Sequence, residues 1–268
     1  MLRIFHHDDV TELRFSSWRS RLSGMRVSAF VVRGVLVDSG FPSEALALAR
    51  WARAHAVQGA ALTHGHEDHA GGAPALARVG IPIWMSEGTR ALVAAPKPIF
   101  FYRRFSWGAP EPLGASSPLE LPAALEPIAT PGHSADHHVL WDRETNTVFG
   151  GDLFIGVKVR VAHASEDPRA TLASLRRVIA LAPRRFFDAH RGLLDDPVPL
   201  LTAKADWMEA TIAQCEALIA DGFDDRTITR HVLGADRLGR WYTAGDYTME
   251  NWVRGVRNAP RAPALGDA

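Results

Sequence analysis

The segment Thr63-His64-Gly65-His66-Glu67-Asp68-His69 places four side chains able to ligate a metal, His64, His66, Asp68 and His69, within six residues, directly after the apolar run Ala60-Ala61-Leu62. Neutral imidazole nitrogens and carboxylate oxygens suit zinc, iron or manganese, and a strand feeding so dense a turn can aim several of them at one point. The competing reading is a polar, His-rich surface loop. Three later residues weigh against it: His133 in Thr130-Pro131-Gly132-His133, Asp152 in Phe149-Gly150-Gly151-Asp152, and His190 in Phe186-Phe187-Asp188-Ala189-His190. Each closes an apolar, strand-like run where the chain turns, which is the rim of a sheet, where loops build functional sites.

In this order, HxHxDH, then Pro-Gly-His, then Gly-Asp, then His, the motifs resemble those of the metallo-β-lactamase-fold hydrolase superfamily over about residues 25 to 195. The resemblance implies a first metal ion on His64, His66 and His133, with Asp152 bridging to a second ion that takes Asp68, His69 and His190. Two divalent ions follow from it, zinc first, with iron or manganese open. Five neutral imidazoles and two carboxylates leave net positive charge on such a pair. A bridging water should then ionise near neutral pH and act as the nucleophile.

The reaction implied is hydrolysis of an ester-like bond in a thioester, lactone or ester, with Asp68 or Asp152 handling the proton. Thr130-Pro131-Gly132-His133 followed by His137 leans toward thioesterase-like and lactonase-like members, in which the residue matching His137 supports the ligands without being one. Asp38, ending the run Val35-Leu36-Val37, matches an aspartate that supports the ligands in the family; capping a turn is its other reading. The chain also departs from relatives. The single cysteine, Cys215, lies far from every ligand motif, unlike the cysteine ligand of several true β-lactamases, and it lies on one face of the helix expected over Leu200 to Ala220 with Ile212 and Ile219, a core position. No set matching a glutathione site is present, and His190 stands in Asp-Ala-His-Arg-Gly where many relatives have Pro-Gly-His-Gly. Phosphodiester hydrolysis, including RNA processing, and an iron-dependent sulfur-oxidising oxidoreductase remain as alternatives; the diiron branch usually has glutamate where this chain has His66.

The elements that must position these residues follow from periodicity. Val10 to Ser16, Val27 to Val32, Val35 to Asp38, Gln58 to Thr63, Ile81 to Ser86, Glu126 to Ala129, His138 to Trp141, Thr147 to Phe149 and Arg185 to Ala189 read as strands, with Arg33-Gly34 a hairpin turn. Pro42 to Ala56, Ala73 to Val79 and Arg169 to Leu181 read as helices, the first through the stripe Ala45, Leu48, Ala49 and Ala52. Strand groups with interleaved helices in each half point to an α/β fold, an αββα sandwich of two mixed sheets flanked by helices. The expected domains are a catalytic unit over residues 1–197, a helical extension over 198–258 with helices at Leu200 to Ala220, Asp225 to Leu233 and Thr248 to Arg257, and a Pro-rich, disordered tail over 259–268. The extension could cover the site, mediate dimerisation or finish the core; pattern does not choose, and the oligomeric state stays open.

Substrate choice should rest on two segments between the ligands. Pro96 to Pro112 carries Tyr102, Arg103, Arg104 and Trp107, and Ile155 to His163 carries Lys158 and Arg160. These cations could hold a carboxylate or phosphate on a small-molecule substrate; otherwise the aromatics fill a core and the charges face water. With 30 Lys plus Arg against 30 Asp plus Glu, no global field marks a nucleic-acid binder. Charge enters at Arg3 and again at Asp8 and Asp9, too early for a signal-peptide core, and no run approaches the length of a membrane span, so a cytoplasmic protein is expected.

Overall fold

In the computed structural model, which describes residues 2–22, 26–235 and 239–258, two mixed sheets pack face to face. The first holds β1 (Leu2–His7), β2 (Val10–Phe15), β3 (Val27–Val32), β4 (Val35–Val37), β5 (Gly59–Ala61) and β6 (Ile83–Trp84) in that spatial order. Pairing is antiparallel from β1 to β4 and parallel from β4 to β6. At the β3–β4 hairpin Arg33 and Gly34 both adopt positive φ, 50° and 77°, the turn geometry that matches strand twist. The second half supplies β7 (Leu125–Ala129), β8 (His138–Asp142), β9 (Thr147–Phe149), β10 (Ala162–His163), β11 (Arg185–Asp188), β12 (Gly192–Leu194) and β13 (Tyr247–Thr248). Its main sheet runs β12-β11-β9-β8-β7, with β9 and β11 parallel, while β10 and β13 form a separate antiparallel pair.

Side-chain alternation assigns the layers. Phe30, Val32, Val35, Val37, Leu140, Phe149 and Phe187 meet in one apolar cluster between the sheets. Their sequence neighbours Ala29 and Leu36 join a second cluster under the helices Ala45–Ala54 and Ala73–Arg78, and Val139, Val148 and Phe186 join a third under the helix Pro168–Ile179. Because successive residues of a strand face opposite sides, a run apolar on both parities requires cover on both faces. Both sheets have it, giving four layers, helix, sheet, sheet, helix.

The sequence missed β1, whose pattern is mostly exposed or half-buried and carries no apolar alternation; it is held by full-length pairing with β2. It also missed the helix Phe101–Trp107. The helix expected over Asp225 to Leu233 is an α-turn, Asp225–Ile228, running into a wider π-helical turn, Thr229–Leu233. There the Thr229 hydroxyl donates to the Asp225 carbonyl at 2.6 Å, a back-bond that bends helices.

The long helix Pro197–Ala220 lies on Pro168–Ile179 and on the last helix, Met249–Asn258. Leu201, Met208, Ile212, Cys215, Trp252 and Val253 share the outer cluster of the second sheet, so this extension completes that sheet's cover. Cys215 is fully buried there, and burial pushes its thiol up to about 12. Among the described residues no helix is long and apolar enough to cross a membrane. The tail over 259–268 lies outside the described residues.

Candidate metal centre

The turn after β5 is held from three sides. Thr63 donates its backbone N–H (2.8 Å) and its hydroxyl (3.0 Å) to the Asp38 carboxylate. Gly65 N–H donates to Asp136 Oδ2 at 2.8 Å, and the Thr89 hydroxyl donates to the same oxygen at 2.8 Å. Glu67, opening the short helix Glu67–Ala70, accepts both Nε and Nη2 of Arg103, at 2.6 and 2.8 Å. Two glycines shape the other approaches. Gly132 has φ 142°, and a Cβ there would lie 2.3 Å from the backbone nitrogen of Thr171; Gly151 has φ 50°, and its Cβ would lie 2.7 Å from His137 Nε2. Both positions therefore need glycine to bring His133 and Asp152 inward.

The side chains converge. Ligand atoms of His64, His66 and His133 lie within 4.8 Å of one another, as do those of His64, His69 and Asp152, and those of Asp68, His69 and His190. Asp152 joins the sets: its Oδ2 is 3.3 Å from His133 Nε2, and its Oδ1 is 3.2 Å from His69 Nε2 and 3.1 Å from His190 Nε2. His64 Nε2, His69 Nε2 and Asp152 Oδ1 are buried without a hydrogen-bond partner. Buried polar atoms are nearly always satisfied, so three orphaned atoms facing one another fit a divalent ion, and their chemistry fits zinc-type coordination.

The opposite ring nitrogens fix the imidazoles. His69 Nδ1 donates to Asp38 Oδ2 at 2.8 Å, and His190 Nδ1 donates to the Arg26 carbonyl at 2.7 Å. A proton held on Nδ1 turns Nε2 into the cluster, where a bound cation would take the place of its proton. His137 differs: its Nε2 accepts the Asp152 N–H at 3.1 Å and its Nδ1 meets the Thr130 hydroxyl at 2.8 Å, so both nitrogens are used in placing Asp152. Burial, reinforced by His133, lowers its pKa to about 3 and keeps it neutral.

Charge is uneven across the cluster. Burial, then the neighbouring rings of His69 and His66, holds His64 well below the usual histidine range; burial and His133 do the same to His66. Burial also disfavours charge on His190, yet Asp152 and Asp68 push it up to about 10, and Asp152, Asp68 and Asp38 likewise raise His69. Asp152 itself, although buried, is held well below the carboxylate range by His190 and His69. Replacing Asp38 with alanine frees His69 to rotate. Metal affinity should fall about 10- to 100-fold, as for other groups that orient a ligand. A competition titration against a chromogenic chelator measures it, and an unchanged affinity would remove the orienting role.

The residues expected to meet substrate are dispersed. Arg103 is buried in its pair with Glu67, Tyr102 donates its hydroxyl to Asp246 at 2.7 Å, and Trp107 lies in the core under the first sheet's helices. Arg104, Lys158 and Arg160 point to solvent. The pocket beside His133 and Asp152 is lined instead by Val159 and Val161, which alternate with Lys158 and Arg160, and by Lys204, Trp207, Met208 and Trp252 from the C-terminal helices. Sequence reasoning missed Lys204, as it missed the buried carboxylates of Asp136 and Asp188. Asp188 Oδ1 accepts the His190 and Arg191 N–H groups at 2.8 and 2.9 Å, while its Oδ2 accepts that of Ile155 at 2.7 Å. It thus ties the His190 turn to the segment after Asp152. An aspartate two residues before a candidate ligand, as in Asp188-Ala189-His190, was the available signal.

Comparison with known proteins places this geometry. Beta-lactamase-like protein 2 homologs from Caenorhabditis elegans and Drosophila melanogaster are 37% identical over 76 residues and 28% identical over 153 residues, covering 28% and 51% of this chain and 25% and 46% of those proteins. The thioesterase pkgB of Emericella nidulans is 29% identical over 156 residues, covering 55% of this chain and 39% of that protein. The chain therefore spans less than half the length of these relatives. Among solved structures, a metallo-beta-lactamase family protein from Thermus thermophilus superposes with a TM-score of 0.66 at 18% identity, over 92% of this chain and 93% of that one. DIM-1 metallo-beta-lactamase gives 0.60 at 19% identity, over 78% and 97%. The model of the metallo-beta-lactamase superfamily matches residues 23–190, a span that holds all seven converging side chains. On that match, the chain belongs to the metallo-beta-lactamase superfamily.

Proposed function

We propose that the chain is a dinuclear metal-dependent hydrolase of an ester-like bond, in a thioester, lactone or ester. The observation that carries this reading is the set of buried, unpartnered atoms on His64, His69 and Asp152 at the junction of the three ligand groups. His64, His66 and His133 would hold one divalent ion and Asp68, His69 and His190 the other, with Asp152 between them; zinc suits the donors best. Such ions, when bound, acidify a water and polarise the acyl oxygen of the substrate.

The chain's own groups supply the rest. Asp68 Oδ2 lies 3.7 Å from both His69 Nε2 and His190 Nε2, at the edge of the cluster, where it can take the proton released from the attacking water and return it to the leaving group. Burial and the carboxylates of Glu166, Asp68 and Asp152 hold the Tyr247 phenol protonated, well above the usual tyrosine range, so it keeps a hydrogen to donate. Apolar walls at Val159, Val161, Trp207 and Trp252 limit water on the His133 side to a small cavity. The thioesterase name of the Emericella nidulans relative supports the ester-like assignment.

The deciding experiment runs zinc-reconstituted protein against ester, thioester, lactone and phosphodiester substrates, beside a His66→Ala control, with metal analysis and oxygen uptake. Metal-dependent turnover of an ester-like substrate that is lost in the control is the expected outcome. Turnover of the phosphodiester alone overturns the assignment, as does one iron per chain with thiol-dependent oxygen consumption.

A further inference from the structure

Lys204 is a buried cation without an anion. It is 4% exposed, and its ammonium donates to the Phe154 carbonyl. That uses one of three donors. Among the described residues no carboxylate lies within ion-pair distance of it; Asp188, Glu166 and Asp152 act on it only from farther off. Buried charges are ordinarily paired, because an unpaired one gives up its hydration for nothing. Of the carboxylates on its pocket, Asp152 faces His69, His133 and His190, and Glu166 Oε1 faces His133 Nδ1 at 3.5 Å and accepts the His163 N–H at 3.0 Å.

Lys204 lines the cavity that opens onto His133 and Asp152, beside Trp207 and Met208 of its own helix and with Val159 and Trp252 from other elements. Trp207 and Trp252 of its lining pack against each other, with ring centroids 5.9 Å apart. Water centres can occupy about 30 Å³ of it. Its enclosed part has room for about two waters, which suits one carboxylate at the end of an acyl chain entering from the open side. A single lysine also balances one carboxylate, whereas phosphate recognition ordinarily recruits several cations or a bidentate arginine.

We infer that this cavity is a subsite for the acyl half of the substrate, and that Lys204 selects compact acyl groups carrying a carboxylate. The inference rests on the ester-hydrolase reading for the position of the scissile carbonyl, at the His133–Asp152 end. The carboxylate fills the place of the missing counter-ion, and the tryptophan and valine walls strip its water, which strengthens the contact.

The test compares succinyl and butyryl thioesters of N-acetylcysteamine on zinc-loaded wild type and Lys204→Met. Wild type should favour the succinyl thioester in kcat/KM by about 10- to 100-fold, the range for a charge-assisted hydrogen bond, and the variant's ratio should fall toward one. An identical ratio in the two proteins overturns the inference. A wild type that cleaves neither thioester defeats the hydrolase reading instead, and the subsite is then judged by calorimetric titration of the zinc-loaded proteins with succinate. Binding weakened at least tenfold in Lys204→Met supports it; equal affinity ends it. If the methionine variant does not fold, Lys204→Gln, which keeps a donor to Phe154 but no charge, is read by the same criteria.

Discussion

Asp152→Asn should lower metal-dependent turnover by roughly a thousandfold or more, the scale of losing several kcal/mol of metal-supplied charge stabilisation at the reacting centre. Of the cluster's two carboxylates, Asp152 is the one whose oxygens lie within 3.3 Å of histidine nitrogens in both halves. Its Oδ2 faces His133, and its Oδ1 faces His69 and His190. Asparagine keeps the volume but offers one neutral oxygen and an NH2 group that cannot ligate, so one side of the cluster loses its anionic donor. The backbone contact should survive, because the Asp152 N–H is held by His137 whatever the side chain. Loss of activity should therefore come with a fall in bound metal and with an unchanged fold by circular dichroism. An Asn variant that keeps two ions per chain and near wild-type turnover would mean that Asp152 does not bridge them.

That the converging side chains could be read from sequence, and that Lys204 could not, has a physical basis. His64, His133, Asp152 and His190 follow strand ends, and strand ends are visible as apolar runs that stop at turns. Phe186 and Phe187 lie in different clusters, as do Val148 and Phe149, so the doubly apolar strands also announced cover on both faces. Lys204, by contrast, is one lysine on a long helix whose polar and apolar faces are weakly separated. Its significance arises from Phe154 and Asp152, some fifty residues earlier, which only the packing of Pro197–Ala220 on the second sheet brings near. The same applies to Glu67 and Arg103. Nothing in their spacing marks them as partners, and an arginine among aromatics looked like a substrate contact until the fold supplied its carboxylate.

Arg103→Met decides between those two roles and should be strongly destabilising. It leaves Glu67 buried beside Asp68 without its guanidinium. Removing one member of a buried pair costs about 3–5 kcal/mol, since the other charge stays desolvated. For a chain of this size that is roughly a 10 °C fall in Tm, on a scale of about 2–4 °C per kcal/mol. Burial of Glu67, with Asp68 adding repulsion, pushes its carboxyl up to about 7 against the pull of Arg103, so uptake of a proton without the guanidinium sets the loss toward the lower end of that energy range. Replacing both partners, Glu67→Leu with Arg103→Met, should accordingly recover most of the loss, short of the contacts Arg103 makes 5.7 Å over the Trp107 and Tyr247 rings and 3.7 Å from Asp246. Thermal unfolding of the two single variants and the double one measures the coupling. A substrate-binding arginine would behave differently: KM for an anionic substrate would rise, Tm would stay within a degree or two, and the Glu67→Leu change would rescue nothing.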